Sequence, residues 1–309
     1  MPPVALIAGP TASGKSDLAV RLALALEARG KRAAVINADS AQVYADLRVL
    51  SARPSEEEMS GIEHRLFGAW GGATPCSAAD WAASAKREIA ALHDEDAVPI
   101  LCGGTGLYLR TLLEGIAPVP AIEPRIREAV RAMTQPEARA ALEAEDTEAA
   151  ARLAPADTAR TMRALEVVRA TGRTLKDWQA RKTGGIGKQF ALHPFILLPD
   201  RLWLYERCDR RFRQMFDSGA VEEVAALRGR DLDPSLPVMR AIGVPEITAY
   251  LQGDLSRDEA IVASQTATRR YAKRQYTWFA HQPPPSWARA GNNMMDVEAN
   301  FVSLLREYG

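Results

Sequence analysis

Eight residues near the start of the chain constrain its fold more than any others. Gly9-Pro10-Thr11-Ala12-Ser13-Gly14-Lys15-Ser16 matches G-x-x-x-x-G-K-[ST] without a gap. The apolar run Val4-Ala5-Leu6-Ile7-Ala8 before it reads as a buried parallel strand, and Leu18, Leu22 and Leu26 after it mark one face of a helix. Strand, glycine loop and helix therefore come in the order a phosphate cradle requires, which a chance glycine-rich turn would not supply. Glycines let successive N–H groups turn toward a phosphate, the helix start adds its dipole, and Lys15 adds a full charge. In such a cradle the hydroxyl of Ser16 is placed to hold Mg²⁺.

The segments after the cradle decide which phosphate chemistry is in question. A second buried strand, Ala33-Ala34-Val35-Ile36-Asn37, delivers Asp39-Ser40-Ala41-Gln42-Val43-Tyr44 to the carboxyl edge of a parallel sheet, where α/β proteins bind ligands. A third apolar run, Val98-Pro99-Ile100-Leu101-Cys102, ends in Gly103-Gly104-Thr105-Gly106-Leu107-Tyr108. It ends in glycine and not in the acid that carries Mg²⁺ in nucleotide hydrolases, so ATP hydrolysis is not the natural reading. Asp39 is left for different work.

These segments, with Arg163-Ala164-Leu165-Glu166-Val167 in mid-chain and Ala272-Lys273-Arg274-Gln275 followed by Thr277-Trp278, resemble the tRNA dimethylallyltransferases over residues 4–280. Only the cradle is shared widely among phosphate-binding proteins; the other four motifs in this order are specific. The fold implied is α/β: a P-loop NTPase-like parallel sheet flanked by helices, with an all-helical insertion. The reaction implied is transfer of a dimethylallyl group from dimethylallyl diphosphate to N6 of adenosine 37, beside the anticodon, in tRNAs that read codons starting with U. Mg²⁺ is the expected cofactor, and the anticodon stem-loop the expected partner of a monomeric enzyme.

By the same resemblance Asp39 is the base that takes the proton of a poorly nucleophilic amine, Thr105 supports the same group, and Arg211 meets the charge growing on the diphosphate. Residues 9–16 hold that diphosphate. The tRNA-contacting positions are Asp39, Ser40, Ala41, Gln42 and Thr105, then Arg127, Ala159, Arg160, Thr161, Met162 and Arg163, and finally Arg240, Ala241, Ile242, Gly243, Lys273, Arg274, Gln275 and Trp278. One departure is Val244-Pro245-Glu246, where the family commonly has an aromatic and then a charged residue.

Composition sets the remaining bounds. With 309 residues, 47% hydrophobic and 25% charged, the chain is expected to be a soluble globular protein. Neither a signal peptide nor a membrane span is expected, which points to the cytoplasm. Cys76, Cys102 and Cys208 are too few and too scattered for disulfides or a zinc site. A net charge of zero argues against nucleic acid only on average. Arg201, Arg207, Arg210, Arg211 and Arg213 form one basic cluster, and Arg269, Arg270, Lys273 and Arg274 another, interleaved with Tyr271, Tyr276 and Trp278. Such a mixture suits phosphate contact with base stacking, although solvated helix faces look the same in sequence.

Between residues 121 and 188 no strand is expected, only helical sequence cut by prolines, so residues 1–120 and 189–309 form a discontinuous catalytic core around a helical insertion. Asp157 caps a helix whose Met162, Leu165 and Val168 face inward. Ser256 and Glu259 form a capping box, and the tail from Asp296 reads as one amphipathic helix through Val297, Phe301, Leu304 and Leu305. The rival reading is a P-loop kinase of a small molecule or nucleotide, using the same cradle for ATP and Asp39 for a hydroxyl. A third, an RNA-binding module with a relic cradle, leaves Asp39 and Thr105 without a role.

Overall fold

The structure is a computed structural model describing residues 1–291 and 296–308. It contains two compact units, Met1–Leu112 with Gly187–Gly309, and Leu113–Ile186. The larger is built on a six-stranded sheet of β1 (Pro3–Ala8), β2 (Ala33–Asn37), β3 (Glu63–Arg65), β4 (Val98–Gly103), β5 (Ala191–Leu197) and β6 (Ala288–Ala290). Spatial order is β3-β2-β4-β1-β5-β6, with every pairing parallel. Ala5 lies between Ile100 and His193, which places the cradle strand in the middle.

Parallel strands need both faces covered, and the sequence supplies two sets of alternating apolar residues. Ala5, Ile7, Val35, Ile100 and Phe195 pack against Leu18, Leu22 and Leu26 of α1 (Lys15–Glu27) and against the chain's last turns. On α2 (Ala78–Asp94), Trp81 is fully buried and its indole N–H donates to Asn37 O at 2.8 Å. The helix starts at a Ser77–Asp80 capping box, which satisfies its first N–H groups. Because all strands run the same way, the ends of β1, β2 and β4 emerge at one edge, followed by the cradle, Asp39 and the Gly-Gly-Thr loop in turn.

Two strands of this sheet have no counterpart among the sequence expectations. β3 is Glu63-His64-Arg65 on a sheet edge, where Arg65 pairs with Glu63, Glu88 and Glu95, so it carries no apolar run. β6 is three residues long and comes after a proline run. The tail also differs from the expected single helix. It forms two four-residue turns, Val297–Asn300 and Val302–Leu305, interrupted at Phe301, whose backbone leaves helical geometry. Val297, Phe301, Leu304 and Leu305 are nonetheless all buried, since burial of those side chains outweighs helix continuity over so short a segment.

The smaller unit has helices Pro124–Arg131, Gln135–Glu145, Thr147–Arg152, Thr158–Thr171 and Leu175–Gln179. Its core is small and alanine-rich: Val130, Ala138, Leu142, Ala149, Ala150, Ala164 and Leu165, with Met162 and Val168 packed alongside. Asp157 caps its helix by accepting from the N–H of Arg160. The unit is not purely helical, because Gly115–Ile116 pairs antiparallel with Thr183–Gly184. Two residues per strand are too short for any periodic signal.

Candidate active site

Two glycines shape the cradle. Gly9 sits at φ +152, and a side chain there would meet Leu197 O at 2.4 Å; Gly14, at φ +96, turns the chain into α1. Lys15 is 9% exposed, its ammonium donates to Pro10 O at 2.7 Å, and burial pushes its pKa down while Asp39 opposes that shift. Ser16 is exposed and lines a 440 Å³ cavity together with Gly14, Lys15, Arg207 and Arg211.

Arg211 comes from α3 (Arg201–Met215) and donates to the hydroxyl of Thr11. Burial lowers its pKa too, against the pull of Cys208 and Asp39. Thr11 is therefore a junction, because its backbone N–H is already given to Gln275 Oε1 at 2.7 Å. That N–H is taken within the protein, and the N–H of Ser13 likewise donates to Pro10 O at 3.4 Å.

Asp39 comes after β2 in a short turn held at several points. Its N–H donates to Asn37 Oδ1 at 2.8 Å, and its carboxylate accepts from the N–H of Ala41 at 3.0 Å. Thr105 Oγ1 accepts from the N–H of Ser40 at 2.9 Å and donates to Ser40 Oγ at 3.1 Å. Thr105 thus braces the residue beside Asp39, and any support for Asp39 passes through that turn. A second cavity of 350 Å³ opens on Asp39, Ser40, Tyr108, Phe212, Met215 and Tyr271. Thr11, Asp39 and Arg211 line both cavities, so the carboxylate and the guanidinium stand where the cavity beside Lys15 and Ser16 meets the one beside Tyr108, Phe212 and Tyr271.

The structure also explains the missing acid after β4. A side chain at Gly103 would lie 2.2 Å from Ala38 O, so the carboxylate at this edge comes from the neighbouring strand as Asp39.

The remaining residues singled out in the sequence fall into several groups. Ala241 and Ile242 line the 350 Å³ cavity with Arg240, which is exposed, while Lys273 and Arg274 are exposed on α4 (Arg257–His281), where Arg274 lies 5.7 Å from the ring centre of Tyr271. Trp278 covers Gly106, where a side chain would meet its ring at 2.5 Å. Gly243, at φ +97, opens the helix Val244–Gln252 and donates to Glu246 at 3.0 Å, so Val244-Pro245-Glu246 serves as a helix start.

Gln42 belongs to a different group, since its amide donates to Ser51 O and Ala52 O at 3.1 and 2.9 Å and ties down the loop beyond it. In the smaller unit Arg127, Ala159, Arg160 and Arg163 are exposed, and Met162 is half-buried. Thr161 and Gln275 depart from the expectation of RNA contact: Thr161 is fully buried one turn before Leu165, and Gln275 is 6% exposed between two loops. In sequence Tyr271 stands out only as an aromatic among charges. Its phenol reaches Ser40 and Thr105, and burial, aided by Asp39, pushes its pKa up. The spacing Tyr271, Gln275, Trp278 is the helical signal that marks that face.

Fold and site define a P-loop-type protein, with a phosphate cradle and a carboxylate, Asp39, that lines two cavities. The sequence model of the IPP transferase family matches residues 42–282. A tRNA dimethylallyltransferase of Erythrobacter litoralis is 71% identical over 305 residues, covering 99% of this chain and 96% of the relative. Another from Novosphingobium aromaticivorans is 64% identical over 278 residues, covering 90% and 99%. Among solved structures, the tRNA isopentenylpyrophosphate transferase of Bacillus halodurans superposes with a TM-score of 0.71 at 29% identity, covering 100% of this chain and 98% of that one. A eukaryotic dimethylallyltransferase acting on tRNA gives 0.76 at 26% identity, covering 90% and 70%. The chain belongs to the IPP transferase family and is a prenyl transferase. The kinase and relic-module readings fall with that membership. Among the described residues no helix is long and apolar enough to cross a membrane.

Proposed function

We propose that the enzyme transfers the dimethylallyl group of dimethylallyl diphosphate to N6 of adenosine 37 in tRNAs reading codons that start with U, releasing diphosphate. One observation carries this reading: Asp39 and Arg211 line both cavities, between the cradle and the acceptor side. Cleavage of the carbon–oxygen bond leaves charge on the diphosphate, which the N–H groups at the start of α1, Lys15 and Arg211 stabilise as it grows. Lys15 and Arg211 rest on neutral oxygens of the cradle itself, Pro10 O and Thr11 Oγ1, and exchange them for phosphate oxygens when substrate arrives. On the other side the amine attacks carbon as Asp39 takes its proton.

The donor set suits Mg²⁺. Among the described residues no group of three His, Cys, Asp or Glu could hold a metal alone, whereas Ser16 opens on the phosphate-side cavity that Asp39 also lines. An ion bound through one or two protein oxygens and the substrate's phosphates is the usual arrangement for Mg²⁺. When bound it neutralises part of the diphosphate charge. The adenine must leave its stack to reach Asp39. We assign the anticodon stem-loop to the exposed Arg240, Lys273 and Arg274 of the core and to Arg127, Arg160 and Arg163 of the insertion. Lys15, Asp39 and Arg211 line one cavity of a single chain, so the proposed site needs no second copy; we assign the enzyme as a monomer that works in the cytoplasm beside its tRNA substrate.

The test offers tRNA with radiolabelled dimethylallyl diphosphate or with labelled ATP. Label should move to tRNA from the first alone; transfer from ATP, or from neither, would overturn the proposal.

A further inference from the structure

Gln275 stands in α4 between residues that face solvent, Lys273 and Arg274 on one side and Thr277 on the other, yet it is almost wholly buried. Its Oε1 accepts from the N–H of Thr11 at 2.7 Å, and its Nε2 donates to Gly104 O at 2.8 Å. One side-chain amide thus spans the phosphate cradle and the Gly-Gly-Thr loop. The chemistry is selective, since an amide carries an acceptor and a donor at fixed spacing, whereas a carboxylate supplies only the acceptor and an aliphatic chain neither.

Its surroundings are shaped to admit it. A side chain at Gly104 would lie 2.4 Å from Gln275 Nε2 and 3.1 Å from Gly9 O, so a second glycine follows the strand where the amide needs room. Thr11 is held from two helices, by Gln275 on its N–H and by Arg211 on its hydroxyl. Across the bridge, Thr105 of the Gly-Gly-Thr loop braces Ser40 beside Asp39.

We infer that Gln275 is a positioning residue that sets the cradle against the Gly-Gly-Thr loop, fixing the separation between the leaving group and the Asp39 turn. The inference rests on the proposed function, because it takes the cradle to hold diphosphate. It moves Gln275 from the RNA face to the diphosphate side. It also ties the basic stretch of α4 to the cradle through one side chain. Small displacements matter here: a shift of about 1 Å between reacting groups costs on the order of 10² in rate.

The test uses the full chain with Gln275→Met, which keeps length and loses both bonds, and Gln275→Glu, which keeps the acceptor for Thr11 and loses the donor to Gly104. Three quantities are read: calorimetric affinity for dimethylallyl thiolodiphosphate, an unreactive analogue; filter-binding affinity for tRNA at fixed salt; and single-turnover rate. In Gln275→Met the analogue should bind about ten-fold more weakly, as expected for the loss of two ordinary hydrogen bonds. The rate should fall by roughly 10–100-fold, with tRNA affinity within two-fold of wild type. Gly104→Ala should reproduce the effect in the wild-type background and add little to Gln275→Ala, in which the amide is already gone.

Weaker tRNA binding with unchanged analogue affinity and rate would return Gln275 to the RNA face and overturn the inference, leaving the proposed function intact. A lower melting temperature with all three readouts unchanged would make the bridge merely structural and overturn it as well. A wild-type chain that does not bind the analogue would remove the proposed function, and the inference with it.

Discussion

The two cations at the cradle and two exposed cations of the 113–186 unit are held in opposite ways. Lys15 and Arg211 rest on neutral oxygens, Pro10 O and Thr11 Oγ1, at sites where burial lowers the pKa of each and Asp39 is a nearby carboxylate. Arg160 and Arg163 are exposed, and each is paired with an acid three residues away, Asp157 at 2.9 Å and Glu166 at 3.5 Å. A charge in a water-poor site acts strongly on an arriving anion, whereas an exposed and already paired one is screened. Chemistry in the core should therefore hang on single residues, while RNA binding by the insertion should be spread over many.

The most severe test of that contrast is Asp39→Asn. Asparagine keeps an oxygen to accept from the N–H of Ala41 but takes no proton at neutral pH. Single-turnover transfer should fall on the order of 10²–10⁴, with tRNA and analogue affinities within a few-fold of wild type. Normal transfer would mean that Asp39 is not the base. Weakened analogue binding that added Mg²⁺ restores would make it a metal ligand.

Lys15→Ala comes next. Removing a charged donor from the leaving group should lower single-turnover transfer by about 10²–10³ and weaken calorimetric binding of the thiolodiphosphate analogue, with tRNA binding unchanged. Equal losses for both ligands would show that the cradle had collapsed. Arg211→Ala should cost about 10² in single-turnover rate and less in ground-state affinity, because its guanidinium has to leave Thr11 to meet the growing charge. A loss confined to tRNA affinity would move Arg211 to the acceptor side and blur the contrast.

How much of the molecule is legible in its sequence depends on how local the cause is. The cradle, its flanking strand and helix, and the Asp157 and Ser256 caps are legible because each is dictated by residues within a few positions of one another. The strand pattern places Asp39 at the ligand-binding edge, but the roles of Asp39 and Thr105 and the place of Arg211 are reachable only through family resemblance, since β2, β4 and α3 bring them together from distant parts of the chain. The edge strand Glu63–Arg65 has no apolar pattern, and Phe301 breaks the tail without a proline or glycine to mark it. Gln275 misleads for an instructive reason. Its neighbours in sequence are charged and exposed, but helical geometry turns every third or fourth residue inward, and this one meets two backbone groups there.

The smallest effect expected is on the insertion, and it tests the other half of the comparison. Arg160→Ala should weaken tRNA binding only a few-fold, and the slope of log K against log salt should flatten by at most about 0.7–0.9, the value for one phosphate contact. Arg160 already shares its charge with Asp157, whose carboxylate also caps the helix by accepting from the N–H of Arg160 at 3.2 Å. Asp157→Asn separates those duties, because asparagine still caps but no longer neutralises. That variant should bind tRNA slightly more tightly than wild type, with a steeper salt slope and an unchanged melting temperature. Filter binding at several salt concentrations reads both variants on one plot. Wild-type slopes in both would make Arg160 part of a solvated helix face, and RNA binding by the insertion would then rest on Arg127 and Arg163 alone.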